Sequence, residues 1–297
     1  MVRFDAVRAL ILRVSATLSA IAVAGVTHGQ QKPGQSDVDA LLSRVASRVE
    51  QYFARAQSIV CQETVRLQPL GRDLTLTSGH VRQLVYELRV AWDASEDGVV
   101  PEPKVHRELL SVDGHPPKEN DKNACMDPKP VSPEPLAMLL PNRQPDFEFN
   151  LRGSGKTDGR SSISLDYKSR VRGVDQVTWK GDCVSVELPG RTRGRIWIDA
   201  ASGDVLRLDE SLTGMYEFDV PRSKQIFNGP QSMIIERADS STRYKPVAFH
   251  DPEEIVLLPE SIQTLQIVRN SGEPQMRISQ TFANYRRFLT GGRVVKD

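Results

Sequence analysis

The chain has 297 residues, with 39 Lys and Arg against 38 Asp and Glu, for a formal net charge of +1. That balance excludes electrostatically driven binding to nucleic acid, which draws its affinity from a surplus of cations facing phosphate. With 39% hydrophobic residues, a chain of this length can bury a sizeable core.

The first element is an export signal. Arg3, Arg8 and Arg13 supply a positive start, and Val14 to Val26 is apolar apart from small polar residues. Thr27-His28-Gly29 then places small residues at −3 and −1 before Gln30. A spanning helix needs roughly 20 apolar residues, and this stretch is shorter, bounded by Arg13 and His28. Residues 1–29 are therefore predicted to be a cleaved signal peptide rather than an anchor, and the mature chain to be periplasmic or secreted. No Cys follows the cut to carry a lipid anchor, and no later stretch is apolar enough to cross a bilayer. The protein is thus not expected to be an integral membrane protein.

Residues 30–35 read as a polar linker. Ser36, with Asp39 three residues on, opens a helix in a near-match to a capping box. Val38, Leu41, Leu42, Val45, Val49, Tyr52, Phe53 and Ala56 recur at three- and four-residue steps. They predict one amphipathic helix over 36–60 laid on an apolar surface.

Beyond Val60 the period drops to two. Leu84, Tyr86, Leu88, Val90 and Trp92 alternate with Gln83, Glu87 and Arg89. Phe147, Phe149 and Leu151 repeat the pattern, as do Ile163, Leu165 and Tyr167. Ile196 and Ile198 answer Leu206 and Leu208 across Asp199–Gly203, a hairpin-type connection. Further strands are predicted near 242–249, 260–269 and 275–288. Half-polar strands in series imply an antiparallel sheet with one wet face. Residues 113–145 interrupt this regularity with eight prolines and one short apolar piece, Leu136 to Leu140. A segment of that length without strand signals is a lid or an ordered surface loop. Residues 291–297 form a tail.

Three cysteines in an oxidising compartment suggest one disulfide and one thiol. Cys125 and Cys183 lie in polar, loop-adjacent sequence and are predicted to pair. Cys61 ends the apolar run Ser58-Ile59-Val60 and is predicted to be a buried thiol.

Motifs that suggest chemistry do not hold in context. Gly153-Ser-Gly-Lys-Thr157 mimics the end of a phosphate-binding loop, but Asn150 stands where the first glycine belongs and a strand follows instead of a helix. A Gly-rich hairpin turn is expected there, with no nucleotide. Asp93-Ala-Ser95-Glu-Asp97-Gly98 imitates half of an EF-hand loop, but Lys104 occupies the position of the bidentate Glu. His28, His80, His106, His115 and His250 show no metal-site spacing. His250, Asp251, Glu253 and Glu254 form a polar cluster that a solvated turn around Pro252 explains. No catalytic residue, cofactor or metal is expected. The aromatic and aliphatic residues Leu84, Tyr86, Leu88, Val90, Trp92, Phe147 and Phe149 either line a cavity or fill a closed core.

Gly194-Arg-Ile-Trp-Ile-Asp-Ala-Ala-Ser-Gly-Asp-Val-Leu-Arg207 resembles paired strands found across the LolA/LolB-like lipoprotein-carrier superfamily. Ile59-Val-Cys-Gln-Glu63 and Tyr285-Arg-Arg-Phe288 resemble uncharacterised exported bacterial proteins of that fold. The resemblance implies a curved half-barrel around a hydrophobic cavity, lidded by helices. The expected fold is therefore α+β: a large curved antiparallel sheet over 36–290, with the N-terminal amphipathic helix on its apolar face and a proline-rich insertion at 113–145. The expected function is non-catalytic binding of a hydrophobic ligand, a lipid, acyl chain or lipoprotein. An envelope scaffold with a closed core is the alternative, and an unrecognised hydrolase the third reading.

Overall fold

The computed structural model describes residues 35–55, 59–77, 79–92, 103–119, 121, 134–181, 183–225, 229–250, 253–272 and 275–287. Helix α1 runs Gln35–Arg55. Its stripe of Val38, Leu41, Leu42, Val45, Val49 and Phe53 is buried, as the three- and four-residue spacing requires. It ends earlier than the predicted 60, because Ile59 and Val60 already belong to strand β1 (Ile59–Leu70). From Ile59 onward Cys61, Glu63, Val65 and Leu67 are buried on one side while Arg66 is exposed on the other, a period of two that a helix cannot satisfy.

Twelve more strands follow. They are β2 (Arg82–Trp92), β3 (Pro103–Val112), β4 (Phe147–Thr157), β5 (Arg160–Ser169), β6 (Gln176–Lys180), β7 (Cys183–Glu187), β8 (Thr192–Asp199), β9 (Val205–Leu212), β10 (Tyr216–Asp219), β11 (Ser232–His250), β12 (Glu253–Arg269) and β13 (Gln275–Arg287). Eleven of the thirteen form one sheet in the order β3-β2-β1-β13-β12-β11-β9-β8-β5-β4, with β10 on β11, while β6 and β7 pair separately. Every pairing is antiparallel. β3 and β4 terminate the sheet without meeting, so it is an open half-barrel rather than a closed one.

The sheet curves around α1. One packed cluster joins the helix stripe to Phe149 of β4, Leu165 of β5, Ile196 of β8, Leu208 of β9 and Tyr244 of β11, with Val90 of β2 at its margin. A flat sheet cannot bring β4 and β2 to the same helix.

The sequence foresaw β2 residue for residue, and the β8–β9 hairpin in place, with Ile196 opposite Leu208. Elsewhere the structure differs. Gly153–Thr157 is not a turn but part of strand β4, with a bulge between Leu151 and Gly153. The turn is Asp158-Gly159, both at positive φ (49° and 80°), the backbone a two-residue hairpin demands. In the proline-rich region, Glu134–Leu139 forms a 3₁₀ turn whose Leu136, Met138 and Leu139 are buried. The acidic stretch 93–98 lies outside the described residues.

Candidate functional site: the covered inner face

Alternation turns alternate side chains of β2, β4, β5, β8, β9 and β11 toward α1, and the inward side chains of the large sheet form the candidate site. The seven residues singled out in the sequence do not share one space. Leu84 and Tyr86 pack with Val65, Leu67 and Ile278. Leu88 packs with Cys61, Ile262 and Phe282. Phe149 belongs to the cluster under α1, with Phe147 and Val90 packed against it. The Phe147 ring lies 6.2 Å from Phe149 and 6.2 Å, edge-on, from Tyr167. The side chain of Trp92 lies outside the described residues.

Among the described residues, two elements cover this face. α1 is one; the 3₁₀ turn Glu134–Leu139 is the other, and Gln144 ties them together by donating to the carbonyls of Leu139 (2.7 Å) and Leu42 (3.3 Å). The helix is clasped from the sheet by the β8–β9 turn. Arg48 donates to Asp204 at 3.1 Å, and Gly203 lies under the aliphatic stems of Arg44 and Arg48. With φ at +78°, and an added Cβ only 3.3 Å from Arg44 Cγ, this position suits glycine. Asp199 shapes the turn by accepting from the backbone N–H of Ala201 (2.9 Å) and Ser202 (2.8 Å). Burial pushes its pKa up, but those N–H groups and the Arg160 guanidinium outweigh burial and hold the carboxyl below its ordinary value. The segment quoted for its family resemblance is thus the clasp of the helix.

A polar seam that the sequence reading missed runs through the apolar face. Glu63 is fully buried (0% exposed). Arg107 Nε donates to its Oε2 at 2.8 Å and Arg107 NH2 to Oε1 at 3.0 Å, while Gln280 donates to Oε1 at 2.8 Å. The guanidinium sits 3.7 Å from the centre of the Tyr86 ring. The signal was present: Glu63 falls on the inward side of Cys61-x-Glu63-x-Val65-x-Leu67, where only a partnered charge is tolerated. Beside it, burial and then the charge of Glu63 push the Cys61 thiol up to about 12. Such a thiol is no nucleophile at neutral pH. Cys61 is a free, buried cysteine, as expected, whereas the expected bridge from Cys183 reaches to Cys125, outside the described residues.

Further along the seam, Tyr167 crosses Gly194 to donate to Glu210 at 3.1 Å. A Cβ at Gly194 would meet the Tyr167 ring at 2.8 Å and the Asp209 carbonyl at 1.9 Å, so glycine admits the tyrosine. Burial raises the Glu210 pKa, and the Tyr167 hydrogen bond offsets this only in part. Tyr52 of α1 and Tyr244 of β11 are raised as well, burial coming first in both. Outside the seam, Glu254 at the β11–β12 end is engaged by Arg287 of β13, and Asp251 lies outside the described residues.

No family model matches the sequence, and neither does any curated protein. Among solved structures, the chain is similar at low identity to the following three. A putative outer membrane lipoprotein-sorting protein domain from Vibrio parahaemolyticus is 9% identical, with a TM-score of 0.39, covering 85% of this chain and 94% of that one. A DUF1329 family protein from Desulfovibrio piger is 10% identical, with a TM-score of 0.41 over 86% and 94%. A LolA superfamily protein from Nitrosomonas europaea is 9% identical, with a TM-score of 0.33 over 86% and 97%.

Proposed function

We propose that this chain is an exported, non-catalytic protein that binds an apolar ligand, a lipid or acyl chain, on the inner face of its half-barrel. The supporting observation is how that face is covered. Among the described residues, apolar side chains from β2, β4, β5, β8, β9 and β11 meet a single helix and one 3₁₀ turn, not a second sheet. Separable cover of this kind can move aside as a unit, and the face beneath it is apolar with a few convergent polar groups, the composition of a ligand pocket. In this reading Leu84, Tyr86, Leu88, Val90, Trp92, Phe147 and Phe149 lie along the ligand's path, and the Glu63–Arg107 seam fixes where its polar end stops. The test is mass spectrometry of lipids that co-purify with the mature chain starting at Gln30. A stoichiometric lipid or fatty acid is expected; a lipid-free protein that acquires none from membrane extract counts against binding.

The alternative of a closed-core scaffold also has support, since Leu84, Leu88, Leu165 and Ile196 are each 3% exposed or less. The two readings part on whether α1 yields to ligand.

A further inference from the structure

Large apolar side chains left in water gather at one end of the sheet. Val171 and Val174, in the β5–β6 loop, are 55% and 79% exposed, and Met215, in the β9–β10 turn, is 68% exposed. Arg191, just before β8, holds the two loops together. Its guanidinium donates to both oxygens of Asp175, at 3.0 and 2.6 Å, and stands over the Tyr216 ring, 4.9 Å from its centre. The Gly173 N–H donates to the Pro189 carbonyl at 3.1 Å, and the Thr213 N–H to that of Arg191 at 2.8 Å. Gly190 packs so closely on the Val171 carbonyl that an added Cβ would lie 1.9 Å from it. Loops tied at this many points cannot fold their apolar tips away. The same loop leads into the β6–β7 hairpin, which joins no strand of the large sheet. The hairpin sets Val177 opposite Val186 and Trp179 opposite Val184, all four only partly buried. Single exposed apolar residues are ordinary, but a fixed group of them marks an interaction surface.

Charge selects the occupant. Arg170 and Arg172 flank Val171, are exposed, and form no salt bridge among the described residues. Residues 168–193 hold six cations and three carboxylates, in a chain whose total is only +1. Beyond Met215, Glu217 and Asp219 are offset by Arg222 and Lys224, so the surplus stands. A second copy docked here would set two positive surfaces face to face. Protein partners are anchored by large side chains seated in pockets, whereas these are short tips that project between arginines. That pattern fits the surface of an anionic bilayer. Apolar tips can reach the acyl boundary, about 5–10 Å deep, while the lipid charge attracts the basic loop and guanidinium groups pair with phosphate oxygens. Trp179 has the amphipathic ring that favours such an interface.

We propose that this end of the sheet docks on an anionic bilayer, with Val171, Val174 and Met215 entering the acyl boundary and Arg170 and Arg172 pairing with lipid phosphates. The surface lies on strand-end loops, apart from the inner face, so it stands or falls independently of the acyl site. The test is flotation of the mature chain with vesicles of phosphatidylcholine alone, or of phosphatidylcholine with one quarter phosphatidylglycerol. Binding to the anionic vesicles is expected, at least tenfold tighter than to the neutral ones and weaker at 500 mM than at 50 mM salt. Val174→Ser/Met215→Ser and, separately, Arg170→Gln/Arg172→Gln are each expected to weaken it at least fivefold. All four positions are exposed, so these variants keep the fold. Ile255→Ser is the control, since Ile255 is equally exposed but lies at the opposite end of the strands. β9 reaches the patch at Leu212, whereas β11, antiparallel to it, runs the other way to pair His250 with Glu253. Ile255→Ser is expected to float as the parent does. The proposal is overturned if the parent does not float with anionic vesicles, if Val174→Ser/Met215→Ser floats as well as the parent, or if Ile255→Ser weakens binding equally. A dimer in sedimentation that Val174→Ser/Met215→Ser abolishes would overturn it in favour of a second copy.

Discussion

Arg107→Ala is the substitution with the largest consequence that the inner face specifies. Its guanidinium engages both oxygens of Glu63, with side-chain exposures of 10% and 0%, and stands over the Tyr86 ring, 3.7 Å from its centre. Truncation leaves a buried carboxylate with Gln280 as its remaining donor. Removing one partner of a buried pair costs about 3–5 kcal/mol, whereas exchanging both partners for apolar residues of similar volume is often neutral or stabilising. Urea unfolding of Arg107→Ala is therefore expected to show that loss at an unchanged m-value. The double variant Glu63→Met/Arg107→Met should recover most of it. The two effects are non-additive because the groups touch. A loss below about 1 kcal/mol for Arg107→Ala, the range of an exposed pair, would refute the assignment of this pair to the core. So would additive single and double variants.

Three further outcomes follow from the seam, the clasp and the cysteines. Glu210 is an acid whose pKa is raised in the folded state, so the fold favours its protonated form and loses stability as pH rises from the unfolded value through the folded one. Glu210→Gln should therefore melt with the parent at pH 4 and above it at pH 7.5; an equal loss at both would contradict this. Gly203→Ala, at φ +78° and against the stem of Arg44, should cost about 1 kcal/mol or more and speed amide exchange in α1, an effect absent if the turn does not hold the helix. Non-reducing peptide mapping should recover Cys125 with Cys183, and Cys61 should resist alkylation until denaturation; Cys61 found in a bridge would overturn the pairing.

Much of the architecture was legible because it rests on periodicity. The stripe from Val38 to Phe53 and the alternation from Leu84 to Trp92 are local patterns, and they persist because each element has one wet face. What stayed illegible depended on non-local pairing. β1 did not read as a strand, since its inward row includes a charge, Glu63, whose partners Arg107 and Gln280 lie 44 and 217 residues away. β3, with His106, Arg107 and Glu108 in its middle, has a polar composition for the same reason. The glycines of Gly153–Thr157 suggested a turn, yet edge strand β4 tolerates them, needing side chains to pack on one face alone. Six of the seven candidate contact residues lie in the packed clusters, the side chain of Trp92 being outside the described residues, but periodicity assigns a face and not a neighbour, so their division among three clusters was invisible.

Whether the inner face accepts a ligand is decided most directly by titrating the mature protein with dansyl-labelled undecanoic acid. Val90 is only partly buried and stands between the cluster under α1 and the cluster around Leu88, so Val90→Trp fills the proposed path with little strain. Leu84→Trp overpacks a fully buried position and costs about 1–3 kcal/mol. The account predicts saturable fluorescence enhancement at one site, weakened at least tenfold in a folded Val90→Trp. No saturable binding by the parent protein, together with a lower melting temperature in Leu84→Trp, would contradict it and leave the closed-core scaffold in its place.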